Sequence, residues 1–249
     1  MSDEIKVKVS HMTKKFGDLL VLNDISFDVK TGEFLCVVGP TGCGKTTFLN
    51  CLTKLKAYEL TDGEILINGE PVDLQKHNIA YIFQEYSSFP WATVEENIAY
   101  GLKVKKRSPE EIKERVEEML QLVGLAEYRN YYPGQLSASM LQRVSIARAF
   151  AVQPELLLMD EPYGQLDNSL RYKLEDELIH LWQRTGTTVI FITHNIEEAV
   201  YLSERILVLT NKPTSIKKEI ENDLPRPRDV TDPAFNKLRD EVTDLIKWW

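Results

Sequence analysis

Residues 39–47 read G-P-T-G-C-G-K-T-T, which fits the spacing G-x-x-x-x-G-K-[ST] and suits one kind of chemistry, the holding of a polyphosphate. Gly39, Gly42 and Gly44 let backbone N–H groups close around phosphate oxygens, and Pro40, Thr41, Cys43 and Thr47 complete the loop. A helix opening at this point adds roughly half a positive charge where the anion would sit. Lys45 is placed to reach the β- and γ-phosphates, and the Thr46 hydroxyl to ligate Mg²⁺. A glycine-rich turn with a chance lysine is the bland alternative; the apolar run before the loop and the helical pattern after it weigh against that reading.

Asp160 and Glu161 end the apolar run 156–159, so both carboxylates are expected at the carboxyl end of a sheet strand, where ligands of α/β folds bind. Two adjacent acids can divide the work. Asp160 would hold Mg²⁺ through water, and Glu161 would polarise an attacking water as general base. His194 also follows an apolar run. A lone histidine is more often structural than catalytic, but if its strand neighbours that of Asp160 the imidazole touches the γ-phosphate and the attacking water.

The elements that must position these residues are legible as periodicity. Alternation over 5–9 and 25–29 predicts half-buried strands of an antiparallel lobe, and 34–38 predicts a strand buried on both faces. A helix is expected after Gly44, a strand and tight turn over 64–69, and a strand over 79–83. Between Thr93 and Val123 the apolar residues Ile112, Val116, Met119, Leu120 and Val123 recur at helical spacing, so this stretch predicts a mostly helical insert. Apolar runs at 156–159 and 188–192 flank an amphipathic segment over 170–184, the strand–helix–strand pattern of a parallel sheet. A further strand is expected over 206–209. Phe235, Leu238, Val242, Leu245 and Ile246 trace one face of a last helix, with Trp248 and Trp249 expected to anchor it.

Composition narrows the function class. With 43% hydrophobic and 27% charged residues the 249-residue chain is an ordinary globular one, and its composition argues against disorder. A net charge of −8 and a pI near 5.2 argue against a broad basic face for nucleic acid. The local charges Lys103, Lys105, Lys106 and Arg107 read as a solvated loop or helix start. Cys36, Cys43 and Cys51 match no zinc spacing and leave one thiol over in any disulfide scheme, which implies a reducing, cytoplasmic setting. The sequence has no signal core and no run near the roughly 18 apolar residues that span a bilayer, so membrane contact is expected through a partner.

Taken together, these residues resemble the ABC-transporter ATPases over almost the whole chain. The resemblance implies an α/β fold: a P-loop NTPase (RecA-like) core with an N-terminal antiparallel β lobe and an inserted α-helical subdomain. It implies a single domain, 1–249, with core and β lobe in 1–88 and 151–225, the helical subdomain in 89–150 and a C-terminal tail in 226–249. It also implies ATP and Mg as ligands. Phe16 then stacks on adenine, and Gln84 contacts Mg²⁺ and the attacking water and senses a permease. Asp167, within G-Q-L-D over 164–167, belongs to the loop at the dimer interface, and Thr193-His194 matches the switch histidine. The signature, normally L-S-G-G, corresponds to Leu136, Ser137, Ala138 and Ser139, followed by Met140 and then Gln142-Arg143. In the family this loop caps the γ-phosphate held by the opposite subunit. Ala138 and Ser139 keep their N–H donors, but their side chains are expected to restrict the backbone and intrude where glycine allows close approach.

The segment 89–97, F-P-W-A-T-V-E-E-N, resembles the nitrate, sulfonate, taurine and bicarbonate importer group, as do E-E-A-V-Y-L over 197–202 and L-P-R-P-R-D over 224–229. The implied protein is the motor of an importer for such anions or for a thiamine-precursor-like solute. It would sit at the cytoplasmic face of the membrane through a permease, served by a periplasmic or lipoprotein solute-binding protein, with no nucleic acid. Two copies would sandwich ATP between each phosphate loop and the opposite signature. A homodimer is favoured because Lys45, Asp160, Glu161 and His194 are all present, with a heterodimer as the other assembly. The rival readings are a DNA-repair or translation ABC protein, which would carry coiled-coil arms or two cassettes, and a non-hydrolysing regulatory subunit.

Overall fold

The computed structural model describes residues 4–85, 87–164 and 168–246, and they fall into two compact units. One unit runs to His77 and resumes at Thr188, and the other is Asn78–Thr187.

The first unit opens with a long hairpin, β1 (Ile5–Phe16) and β2 (Leu19–Lys30). The alternating residues Val7, Val9, Ile25, Phe27 and Val29 are all buried, as the period of two requires. The strands continue well past the stretches where alternation is visible. Lys14 is buried there with its ammonium donating to the Glu59 carbonyl at 2.7 Å, and the ladder changes register near His11 and Asp24. Both residues take positive φ (54° and 53°), and their side chains are joined at 2.7 Å. A polar, bulged middle hides the strand period from the sequence.

Next in the chain come β3 (Phe34–Val38), α1 (Lys45–Cys51), β4 (Asp62–Ile67) and β5 (Glu70–Pro71). Asn68 and Gly69 between the last two strands have φ of 53° and 76°, the two-residue turn that matches strand twist. The lobe sheet has the order β2-β1-β4-β5.

The second unit holds β6 (Ile79–Ile82), α2 (Val94–Val104), α3 (Pro109–Leu122), α4 (Ala138–Ala151), β7 (Leu156–Asp160) and α5 (Asn168–Thr185). Helices α2 and α3 each start on a reciprocal cap, Thr93 with Glu96 and Ser108 with Glu111. The periodic residues Val116, Met119, Leu120 and Val123 are buried, while residues 103–107 are exposed across the junction between α2 and α3. Strand β6 runs parallel to β7.

Back in the first unit follow β8 (Thr188–Thr193), α6 (Ile196–Leu202), β9 (Arg205–Leu209), β10 (Ile216–Glu221) and α7 (Pro233–Ile246). Strand β3 lies between β8 and β9, parallel to both, and β10 is antiparallel on β9. Every residue of β3 and β8 is buried, which explains their continuous apolar runs. Helix α7 packs on α6 and β9, with Phe235 and Val242 buried. Trp248 and Trp249 lie outside the described residues.

Candidate functional site

In the first unit the phosphate loop leaves β3 and turns into α1 at Gly44, whose φ of 112° is open to glycine and strained for other residues. A Cβ there would also stand 2.9 Å from Val21 Cγ1, so this glycine is fixed both by conformation and by space. Lys45 is buried and donates to the Gly39 and Pro40 carbonyls at 3.1 and 3.2 Å, its ammonium held over its own loop. The Thr46 side of the loop is exposed.

Register brings His194 to this loop's edge. Val38 pairs with Thr193 across β3 and β8, so Gly39 and His194 are the next residues out of neighbouring parallel strands. His194 is exposed at that edge. Behind it Asn195 caps α6, accepting from the Glu197 and Glu198 N–H groups at 3.0 and 3.4 Å, and Thr193 Oγ1 donates to Glu198 Oε2 at 2.5 Å.

Thr214 is a residue that sequence reasoning missed. Its hydroxyl donates to the Cys43 carbonyl inside the phosphate loop, and its backbone bonds Val21 and Asn23 of β2 at 2.8 Å each. The loop is thereby fastened to the lobe by a residue 171 positions away in sequence, a distance at which no local pattern can signal it.

Phe16 ends β1 and is 42% exposed, which leaves it accessible to a flat base. The Tyr58 ring stands edge-on at 6.1 Å, and Lys14 Nζ lies 4.7 Å from the ring centre.

In the second unit, Ile82 pairs with Met159, so Phe83-Gln84 and Asp160-Glu161 leave adjacent strands at the same end. Asp160 is 5% exposed, and the Tyr81 hydroxyl donates to its Oδ2 at 3.4 Å. Glu161 has φ 44°, a left-handed backbone that costs energy for a residue with a side chain and gathers at functional sites. The turn it starts is closed by the Gly164 N–H on the Glu161 carbonyl at 3.2 Å. Asp167 lies outside the described residues.

The signature residues open α4. Ser137 is its N-cap, with Oγ accepting from the Met140 N–H at 3.3 Å, and Ala138 and Ser139 are the first two helical residues. The expected backbone restriction therefore carries no strain, because these positions are helical and a Cβ favours them over glycine. Their N–H groups fall in the first turn, where a helix offers no acceptor of its own.

Between Gln84 and α2 lies an aromatic cluster, with Phe89 at 5.5 Å from Trp91 and 4.6 Å from Tyr100, and Trp91 is 75% exposed. Arg148 of α4 reaches into it, donating to the Ser87 carbonyl and hydroxyl at 2.9 and 2.6 Å and lying 5.0 Å from the Phe89 ring centre. The fully buried Asn97 shapes the turn. Its amide donates to the Phe89, Ala92 and Thr93 carbonyls at 3.2, 3.0 and 2.9 Å and its oxygen accepts from the Phe89 N–H at 2.8 Å. Asn97→Ala is expected to destabilise the chain by about 2–3 kcal/mol, since buried partners lose their bonds. Urea unfolding checks this, and an unchanged midpoint would refute the clamp.

The family profile described as ABC transporter matches residues 22–164. The aliphatic sulfonates import ATP-binding protein SsuB of Bacillus cereus (strain ZK / E33L) is 41% identical over 248 residues, covering 100% of this chain and 97% of that one.

This chain belongs to the ABC transporter family.

Two solved cassettes of the family share its fold. The bacterial ABC transporter cassette MJ0796, solved as a dimer, matches with a TM-score of 0.76 at 32% identity, over 88% of this chain and 100% of that one. CbiO1 from Clostridium perfringens, part of the transporter complex cbiONQ, matches in fold with a TM-score of 0.79 at 24% identity, over 88% and 89%. MJ0796 is also known in a post-hydrolysis state bound to ADP and Pi. As an ATP-binding cassette of this family, the chain is an ATPase.

Proposed function

We propose that the chain is the motor of a membrane importer for sulfonate-like anions, hydrolysing ATP as a homodimer bound to a permease. The observation that carries this reading is the end-to-end likeness to an aliphatic sulfonates import ATP-binding protein, which covers 100% of this chain and 97% of that one. The nitrate, taurine, bicarbonate and thiamine-precursor cargoes belong to the same group of expectations.

In this reading the whole chain works as one cassette, with residues 89–150 as its helical part and 226–249 as its tail. Lys45 and His194 in the first unit, and Gln84, Asp160 and Glu161 in the second, each take a part of the work on Mg-ATP that this reading assigns. Phe16 stacks on the base, and the backbone of Gly39, Pro40, Thr41, Gly42, Cys43, Gly44 and Thr47 surrounds the phosphates. Lys45 leaves its loop carbonyls for the β- and γ-oxygens. The hydroxyl, amide and carboxylate of Thr46, Gln84 and Asp160 are an all-oxygen set that fits Mg²⁺, which when bound offsets charge on the transferred phosphoryl group. Glu161 accepts a proton from the attacking water, and His194 holds that water and the γ-phosphate. Ser137, Ala138 and Ser139 close the partner's site, with Asp167 at the interface. The exposed aromatics around Trp91 receive the permease. Among the described residues no helix is long and apolar enough to cross a membrane. In this reading the chain attaches peripherally, through the permease, at the cytoplasmic face.

The test is to capture the chain with its membrane partner and add solute-binding proteins loaded with candidate anions. An alkanesulfonate-loaded protein is expected to accelerate ATP turnover several-fold. Stimulation by none of the anions, or only by an unrelated cargo, would remove the sulfonate reading.

A further inference from the structure

The segment 224–229, L-P-R-P-R-D, is put to a use that its sequence does not announce. Helix α6 has seven residues, too few to stand alone, and its last carbonyls have no acceptor-satisfying donor within the helix. Three side chains supply those donors. Arg228 Nη1 donates to the carbonyls of Val200, Tyr201 and Ser203 at 2.8, 2.9 and 2.6 Å. Arg226 donates to Tyr201 and Leu202 at 3.2 and 2.5 Å, and Asn222 Nδ2 to Val200 and Ser203 at 2.8 and 3.0 Å. Four successive carbonyls, from Val200 to Ser203, are thus bound, and two cations sit where the helix dipole is negative. Asn222 and Arg228 are themselves buried, at 5% and 8% exposure. Burial, and after it the neighbouring Arg226, pulls the Arg228 guanidinium down to about 9.

The other end of this short rod is the catalytic side. Asn195 caps it, its N–H bonds Thr193 Oγ1 at 2.9 Å, and Thr193 is tied to the first turn through Glu198. His194 lies between Thr193 and Asn195. A helix of this length spans roughly 10 Å, so the contacts at its carboxyl end help the cap beside His194 to set its direction.

We propose that Asn222, Arg226 and Arg228 are positioning residues for His194, holding α6 at its carboxyl end so that the imidazole stays at the phosphate-loop edge. The proposal rests on the reading that His194 acts at the γ-phosphate. None of the three touches the phosphate loop in the contacts that define the cap, so nucleotide binding and turnover should separate when the cap is cut.

The experiment compares wild type, Arg226→Gln, Arg228→Gln, Arg228→Lys and His194→Ala in the full chain, measuring kcat, KM and the Kd of Mg-ATP. His194→Ala is expected to lose most turnover. The glutamine variants are expected to lose on the order of tenfold to a hundredfold in kcat, the scale of a roughly 1 Å misplacement, with KM and Kd within about twofold. Arg228→Lys should recover part of the rate, because an ammonium also offers three donors. Combined with His194→Ala, Arg228→Gln should add nothing further, as residues acting through one group are not additive. If Arg228→Gln does not fold, Arg226→Gln, alone and combined with His194→Ala, is read in its place. Full turnover in His194→Ala would sink the role of His194 and the proposal with it. Normal kcat in the folded strap variants, an equal rise in Kd, or an additive loss in the double variant would overturn the proposal alone.

Discussion

Glu161→Gln is expected to lower kcat by roughly two to four orders of magnitude, the contribution of a positioned general base, while leaving the affinity for Mg-ATP intact. The amide keeps the shape of the carboxylate and its place at the end of β7, but it has no basic oxygen pair to take a proton from water. The left-handed backbone at Glu161 is the structural reason to expect an effect confined to chemistry. A turn at φ 44° aims the side chain, and glutamine inherits the same turn. Single-turnover hydrolysis with radiolabelled ATP, beside equilibrium binding, separates the two quantities. Turnover within about fivefold of wild type would assign the base to another group.

Lys45→Ala is expected to act on the other quantity. Hydrogen bonds to charged groups are worth about 1.5–3 kcal/mol each, so losing this ammonium should weaken Mg-ATP binding by roughly 10- to 150-fold. Arginine should not restore the affinity, because a planar fork does not fit where a compact charge lies buried against the Gly39 and Pro40 carbonyls. Titration calorimetry reads the change directly, and a Kd unchanged by Lys45→Ala would remove the loop from the nucleotide site.

What the sequence discloses here is the chemistry that is contiguous in the chain. The phosphate loop needs glycines, a lysine and a hydroxyl within nine positions, and 39–47 supplies them between a strand and a helix that are both where periodicity puts them. Strands buried on both faces, such as β3 and β8, are equally plain. The register that sets His194 beside Gly39 and brings Phe83-Gln84 to the same strand end as Asp160-Glu161 is not contiguous, and only the pairing of β3 with β8 and β6 with β7 reveals it. Strand β10 escapes notice because it is a mostly exposed edge strand reading I-K-K-E-I-E, with charge where a core strand has valine.

The segments 89–97 and 224–229 show the limit more sharply. As sequences they resemble those of an importer group; as structures they are a turn clamped by Asn97 and a helix end capped by two arginines. The signature shows the converse. Two glycines replaced by Ala138 and Ser139 suggest a restricted loop, and the backbone at that point is an ordinary helix start that accepts them.

The three thiols give the chain a built-in reporter of its own opening. Cys36, Cys43 and Cys51 are all buried, and burial raises each above its usual range, Cys51 to about 11, so neither access nor thiolate favours attack by an alkylating reagent. Labelling at neutral pH must wait for local opening, and the three sites sample different neighbourhoods: the central strand, the phosphate loop and the end of the helix behind it. The rate at Cys43 set against that at Cys36 measures how far the loop loosens independently of the sheet beneath it, with no probe added to the protein.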